Sequence, residues 1–205
     1  MVNKKAIQFV DQDVTKIKFE KELQEFKQNE ADYRKKGIVC IKAEFPFIIL
    51  LFAIPNLKPQ PIAFAVNIDF TNWDVEPPSV KFIDPFSEKV LHRDDIKINF
   101  FQIKDKNAIK TLPNGQLAEL DLLQGKNEIL PFFCVPGVKE YHQHPAHSGD
   151  SWMLHRTKGE GKLCVLIEQL YKHSIAQSAG YTVTINLNMG FNDIMISPDI
   201  NKLKQ

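Results

Sequence analysis

Between Gly37 and Pro85 the chain carries four short apolar runs, IVCIKAEF, FIILLFAIP, PIAFAVNIDF and SVKFIDP, with proline punctuating the spaces between them. Each run is rich in Ile, Val and Phe, residues that fit a pleated, half-buried surface. Pro46, Pro55, Pro59 and Pro61 fall between the runs, where a missing N–H costs no ladder hydrogen bond. Strands so close together in sequence most simply form an antiparallel meander. The longest apolar stretch, Phe47 to Ile54, is far too short to span a bilayer and reads as a buried strand.

A sheet of this kind needs a second layer, and the sequence supplies one just upstream. In DVTKIKFEKELQEFKQNEADYRKKG, Phe19, Leu23, Phe26 and Tyr33 fall near helical spacing on one side, while Lys and Glu crowd the other. Glu30 and Arg34 are helix-surface neighbours of favourable polarity, and Gly37 is a natural stop. This reads as one helix. Downstream of the meander, IKINFFQI reads as a further strand, and TLPNGQLAELDLLQGKNEIL as either a short helix or a connection. KLCVLIEQLYKHSIAQSAG follows as a second helix, with Leu163, Leu166, Ile167, Leu170 and Ile175 apolar and Gly180 as its stop. YTVTINLNM alternates and reads as a strand or an added hairpin, and SPDINKLKQ reads as a frayed end. The expected fold is α+β over a single domain, 1–205, with its core at about 15–178 and a strand and tail extension at 179–205.

Composition narrows the function classes. With 43% hydrophobic and 25% charged residues the chain is globular rather than disordered. A net charge of +1 gives no electrostatic footprint for nucleic acid. Three cysteines argue against a disulfide scaffold and for a reducing cytoplasm. The start, MVNKKAIQFVDQD, has no apolar core for a signal peptide, so neither export nor membrane attachment is expected.

The chemistry concentrates after Leu130. Four of the six histidines lie between positions 142 and 155, with Cys134 and Glu140 just before them. In an extended segment Glu140, His142 and His144 project from one face, and a Pro136-Gly137 turn lets Cys134 fold back toward it. Thiolate, carboxylate and imidazole are ligand types that zinc accepts, whereas calcium and magnesium want oxygen shells. His147 either replaces one imidazole or acts as an outer-shell partner. The competing reading makes these idle surface histidines, with Cys134 an ordinary core thiol beside Phe132 and Phe133. Elsewhere, Cys40 reads as core and Cys164 as a buried thiol. Trp73 and Trp152 read as packing anchors. Ser151 has His147 and His155 nearby but lacks a G-x-S-x-G elbow, and His92 and His173 show no partner.

The order of helix, four-strand meander, proline-rich exit, histidine flap and second helix resembles the ubiquitin-conjugating-enzyme (UBC-like) fold. NWDVEPPSVKFIDPF, Asn72 to Phe86, resembles the Y-P-x-x-P-P-x-V-x-F segment that closes that family's meander. His144-Pro145-Ala146 resembles its His-Pro-Asn flap, with Ala146 in place of the oxyanion-stabilising Asn. GDSWML carries no cysteine where the nucleophile is expected. The first one after the flap is Cys164, in a GKLC context faintly similar to G-x-I-C.

The string Cys134, Glu140, His142 and His144 or His147 more closely resembles a bacterial family described as a predicted metal-binding Cys-Glu-His-His domain. Members of that family are encoded beside ubiquitin-like proteins, activating and conjugating enzymes and JAB-type deubiquitinases. The resemblance implies a zinc-binding, non-thioester accessory protein of a bacterial ubiquitin-like conjugation system, holding about one zinc per chain. Those operon neighbours would be its partners. Three other readings stand beside it. One is a metal-dependent hydrolase of peptide or isopeptide bonds with Glu140 as base and Asp150 or His155 assisting. The others are a conjugating enzyme using Cys164 and a metal-free interaction module.

Overall fold

The computed structural model describes residues 7–103, 119–125, 130–177, 181–185 and 194–198. Helix α1, Gln12–Gln28, starts at Asp11, whose carboxylate accepts the Val14 N–H at 3.0 Å. The single helix expected here is in fact two. At Asn29 the side-chain amide donates back to the Glu25 carbonyl at 3.0 Å, the local competition that makes Asn a poor helix-interior residue. Helix α2, Glu30–Lys35, then turns Tyr33 back onto Phe26, ring centroids 5.3 Å apart and stacked. Gly37 ends this unit at φ 80°, and a Cβ there would lie 2.3 Å from the Ala53 carbonyl oxygen, so only glycine fits.

Strands β1 (Ile38–Glu44), β2 (Phe47–Ala53), β3 (Ile62–Asp69) and β4 (Ser79–Ile83) form an antiparallel sheet in the order β1-β2-β3-β4, as expected. Leu50 pairs with Val66, and Ile68 with Val80. Period-two alternation sends Ile48, Leu50 and Phe52, Phe64, Val66 and Ile68, and Val80 and Phe82 into one core. Burying each such side chain contributes about 1.5–3 kcal/mol. The opposite face carries a small cluster of Ile49, Ala65 and Ile83.

The next strand is shorter than IKINFFQI suggests. Only β5, Phe101–Ile103, joins a ladder, with β6, Glu119–Asp121, while Ile96, Ile98 and Phe100 enter the core without one. Strand β7, Leu123–Gln124, pairs with β8, Phe132–Phe133. The described part of TLPNGQLAELDLLQGKNEIL thus holds the short strands β6 and β7 and no helix, and the rest lies outside the described residues. After the flap, which holds the short helices α3, Lys139–Gln143, and α4, Met153–Arg156, helix α5, Leu163–His173, buries Leu163, Leu166, Ile167 and Leu170 in the same core as Phe19 and Phe26 of α1. The carboxylate of buried Glu22 accepts the Leu163 N–H at 2.9 Å and so caps α5 from α1. The expected stop, Gly180, lies outside the described residues. Strand β9, Tyr181–Ile185, pairs with β10, Ile194–Pro198. The whole is a mixed α+β arrangement of helices on a four-stranded antiparallel sheet. Among the described residues no helix is long and apolar enough to cross a membrane.

Candidate functional site

Strand β8 delivers Cys134, whose N–H donates to the Leu122 carbonyl at 2.8 Å. The expected turn follows, with Val138 N–H donating to Val135 O at 3.0 Å. It packs so closely on the far side of the flap that a Cβ at Gly137 would sit 2.1 Å from the Glu160 carbonyl oxygen.

The next segment corrects the sequence reading. Lys139–Gln143 is a short helix, α3, rather than an extended stretch. Val138 is fully buried and Lys139 N–H donates to Pro78 O at 2.9 Å, so the chain starts its turn against the head of β4. Residues two apart on a helix differ by roughly 200°, so Glu140 and His142 point to opposite sides. Glu140 turns to β4, where its carboxylate accepts the Ser79 hydroxyl, and the Val80 N–H at 3.3 Å. Burial raises its pKa, against the pull of those two donors. His142 lies between two carbonyls, Nε2 at 2.5 Å from Pro136 O and Nδ1 at 2.8 Å from Asp150 O. A neutral ring can donate to only one of them.

Cys134 and His147 do come together. The Cys134 Sγ lies 3.3 Å from His147 Nε2. Pro145–His147 forms a 3-10 turn that His144 opens by accepting the Ala146 N–H on Nδ1 at 3.3 Å. The ring of His144 lies 5.8 Å from that of His147 and 5.4 Å from Phe132. Burial, then the charge of Asp121, raises the Cys134 thiol. Burial, then His144, lowers His147. Both shifts favour the uncharged forms, a thiol beside a neutral imidazole. Among the described residues no group of three or more donors stands ready as a metal cage. Of the five expected ligands, Cys134 and His147 face each other, His144 stands next to them, and Glu140 and His142 are bonded elsewhere.

A second polar line runs behind this pair. The ring of Tyr141 stacks on His147 at 3.8 Å and 23°, and its hydroxyl donates to Asp150 Oδ2 at 2.6 Å. Asp150 Oδ1 is 2.6 Å from His155 Nε2, and Glu160 takes the other ring nitrogen of buried His155. Burial alone would lower His155, but the two carboxylates outweigh it and hold the ring above its ordinary range. Tyr141 and Glu160 escaped the sequence reading. The available signal was an acidic residue five positions to either side of His155.

The other candidates have plainer roles. The Ser151 hydroxyl accepts the Met153 N–H, while both nitrogens of His155 are taken by carboxylates. Cys164 is half-buried on α5 beside Tyr33, and burial raises its thiol. Trp73 and Trp152 are buried packing partners, with Trp152 Nε1 donating to Asp74 O at 2.9 Å. His173 is buried between the Phe101 carbonyl and Gln169.

A family model described as Y4jH family, Y4jH-like, matches residues 10–177. The chain belongs to the Y4jH-like family. The protein y4jH of Sinorhizobium fredii (strain NBRC 101917 / NGR234) is 34% identical over 199 residues, covering 94% of this chain and 96% of that relative. The stretch matched to the Y4jH-like family runs from just before α1 to the turn that follows α5. It takes in Cys134, His147 and the polar line behind them, and stops short of β9 and β10.

Proposed function

We propose that this Y4jH-like chain is a zinc-binding, UBC-like accessory component of a bacterial ubiquitin-like conjugation system. The order of α1, the β1–β4 meander, Pro77-Pro78 at the head of β4, the His144-Pro145 flap and α5 supports the UBC-like reading. The observation that carries the metal reading is the 3.3 Å contact between Cys134 and His147. Bond lengths of about 2.3 Å to sulfur and 2.0–2.1 Å to nitrogen give a tetrahedral zinc site an S–N edge of about 3.6 Å. Cys134 and His147 would hold the ion, with His144 the next donor in reach. A bound zinc would supply folding energy to the flap, or polarise a water if one position stayed open. The ubiquitin-like protein and its activating, conjugating or deubiquitinating enzymes would be the partners.

Elemental analysis of the purified, tag-free chain tests this. About one zinc per chain is expected, lost in Cys134→Ser and His147→Ala and retained in His142→Ala. Wild-type protein that takes up no zinc after reconstitution would discard the metal reading.

The same contact favours a second reading, a metal-free thiol nucleophile. His147 would take the thiol proton as Sγ attacks an activated acyl group and the donor's thiol leaves. Cys134 has a histidine beside it, whereas Cys164 has Tyr33. A thioester adduct with a ubiquitin-like protein, lost in Cys134→Ser and kept in Cys164→Ser, is the signature of this reading.

A further inference from the structure

We propose that Tyr141 is the positioning residue of the Cys134–His147 pair, and that Asp150, backed by His155 and Glu160, fixes Tyr141. The inference rests on Cys134 and His147 being the chemical pair, but not on zinc. His147 sits on a 3-10 turn of three residues, and its Nε2 reaches the thiol. What covers its ring is Tyr141, at 3.8 Å between centroids and 23° between planes. A ring stacked this way is held against rotation only if its partner is itself held. Tyr141 is held at the hydroxyl, 2.6 Å from Asp150 Oδ2. Asp150 is held in turn, because its second oxygen lies 2.6 Å from His155 Nε2 and Glu160 closes the far side of that ring. Its backbone carbonyl faces His142 Nδ1 at 2.8 Å, so the main chain at Asp150 is tied as well. Each link from Tyr141 to Glu160 lies within hydrogen-bond distance, and ring stacking joins that line to the one imidazole that meets a thiol among the described residues.

The line has the form of the outer-shell partners that orient a histidine, whose loss changes metal affinity by about 10–100-fold. Tyr141→Phe keeps the stacking ring and removes the hydroxyl, and Asp150→Asn keeps the shape and removes the charge. Two readouts on the full chain separate positioning from plain stability. The first is zinc affinity by competition with a chromophoric chelator. The second is the rate of iodoacetamide labelling at Cys134 on metal-free protein at one fixed pH, mapped by peptide mass spectrometry with Cys40 and Cys164 as internal controls. Either variant should weaken zinc binding by about tenfold or more and slow labelling at Cys134 alone, with little change in melting temperature. The double variant should lose no more than the stronger single one, because both act on one line.

Unchanged zinc affinity together with unchanged Cys134 labelling in both variants overturns the proposal. So does labelling that changes equally at all three cysteines, the mark of general loosening. If the wild type takes up no zinc, only the metal reading fails, and the labelling arm still decides the role of Tyr141.

Discussion

The carboxylate of Glu140 covers the head of β4, where it takes the Ser79 hydroxyl and the Val80 N–H. Removing the acceptor leaves these groups short of a partner, at a cost of about 1–3 kcal/mol. Glu140→Ala should therefore lower the unfolding free energy by that much, read by chemical denaturation, while zinc content stays at its wild-type level. Loss of zinc from a variant that remains folded would return Glu140 to the ligand set. Cys134, Glu140 and the histidines were recognisable as metal-type donors from residue identity alone. Which of them meet was not, because that depends on whether Lys139–Gln143 has a period of two or of 3.6. A five-residue segment is too short for hydrophobic patterning to choose. The choice is made by buried Val138 and by the Lys139 N–H bonded to Pro78 O, contacts about sixty residues apart in sequence.

The turn between β8 and α3 sets how the flap closes on itself. Gly137 sits so near the Glu160–Gly161 backbone that a Cβ would approach Glu160 O to 2.1 Å and Glu160 C to 2.7 Å. Backbone atoms cannot swing aside as a side-chain tip can, so Gly137→Ala should cost about 1–3 kcal/mol and displace Glu160 from His155. Equal thermal unfolding of variant and wild type would show that the two segments are less tightly coupled than this contact implies. At this scale the meander was the most legible part of the chain, since β-rich runs and prolines leave few other topologies. The break at Asn29 was not, because Phe26 and Tyr33 keep helical spacing across it and the pattern continues through the kink. The strand at IKINFFQI is shorter than its pattern for the opposite reason. Ile96, Ile98 and Phe100 alternate and are buried as a strand would bury them, but only Phe101–Ile103 finds a ladder partner.

Across the whole molecule the flap is joined to α1 and the sheet through Asp74. Its carboxylate meets Lys18 at 2.5 Å and Arg156 at 3.1 Å, and its carbonyl accepts Trp152 Nε1. The ion pairs are partly exposed and worth about 0–1 kcal/mol each. Packing of the buried Trp73 and Trp152, ring centroids 6.0 Å apart, therefore carries more of the join. Inside the flap, the charge-sensitive element is His155 between Asp150 and Glu160. Because its folded pKa is raised, its contribution is fully present below the ordinary histidine pKa of about 6.5, and is lost as pH climbs through the folded value. His147 and His173, both lowered chiefly by burial, act with the opposite sign, penalising the folded state as pH falls. The raw pH profile thus mixes the two effects, and the difference between wild type and His155→Gln isolates one. On metal-free protein, wild type should lose stability relative to the variant as pH rises above the ordinary histidine range, followed by chemical denaturation at each pH. Parallel profiles would mean that His155 carries no extra proton in the folded state, and that the Asp150 end of the Tyr141 line is held without its charge.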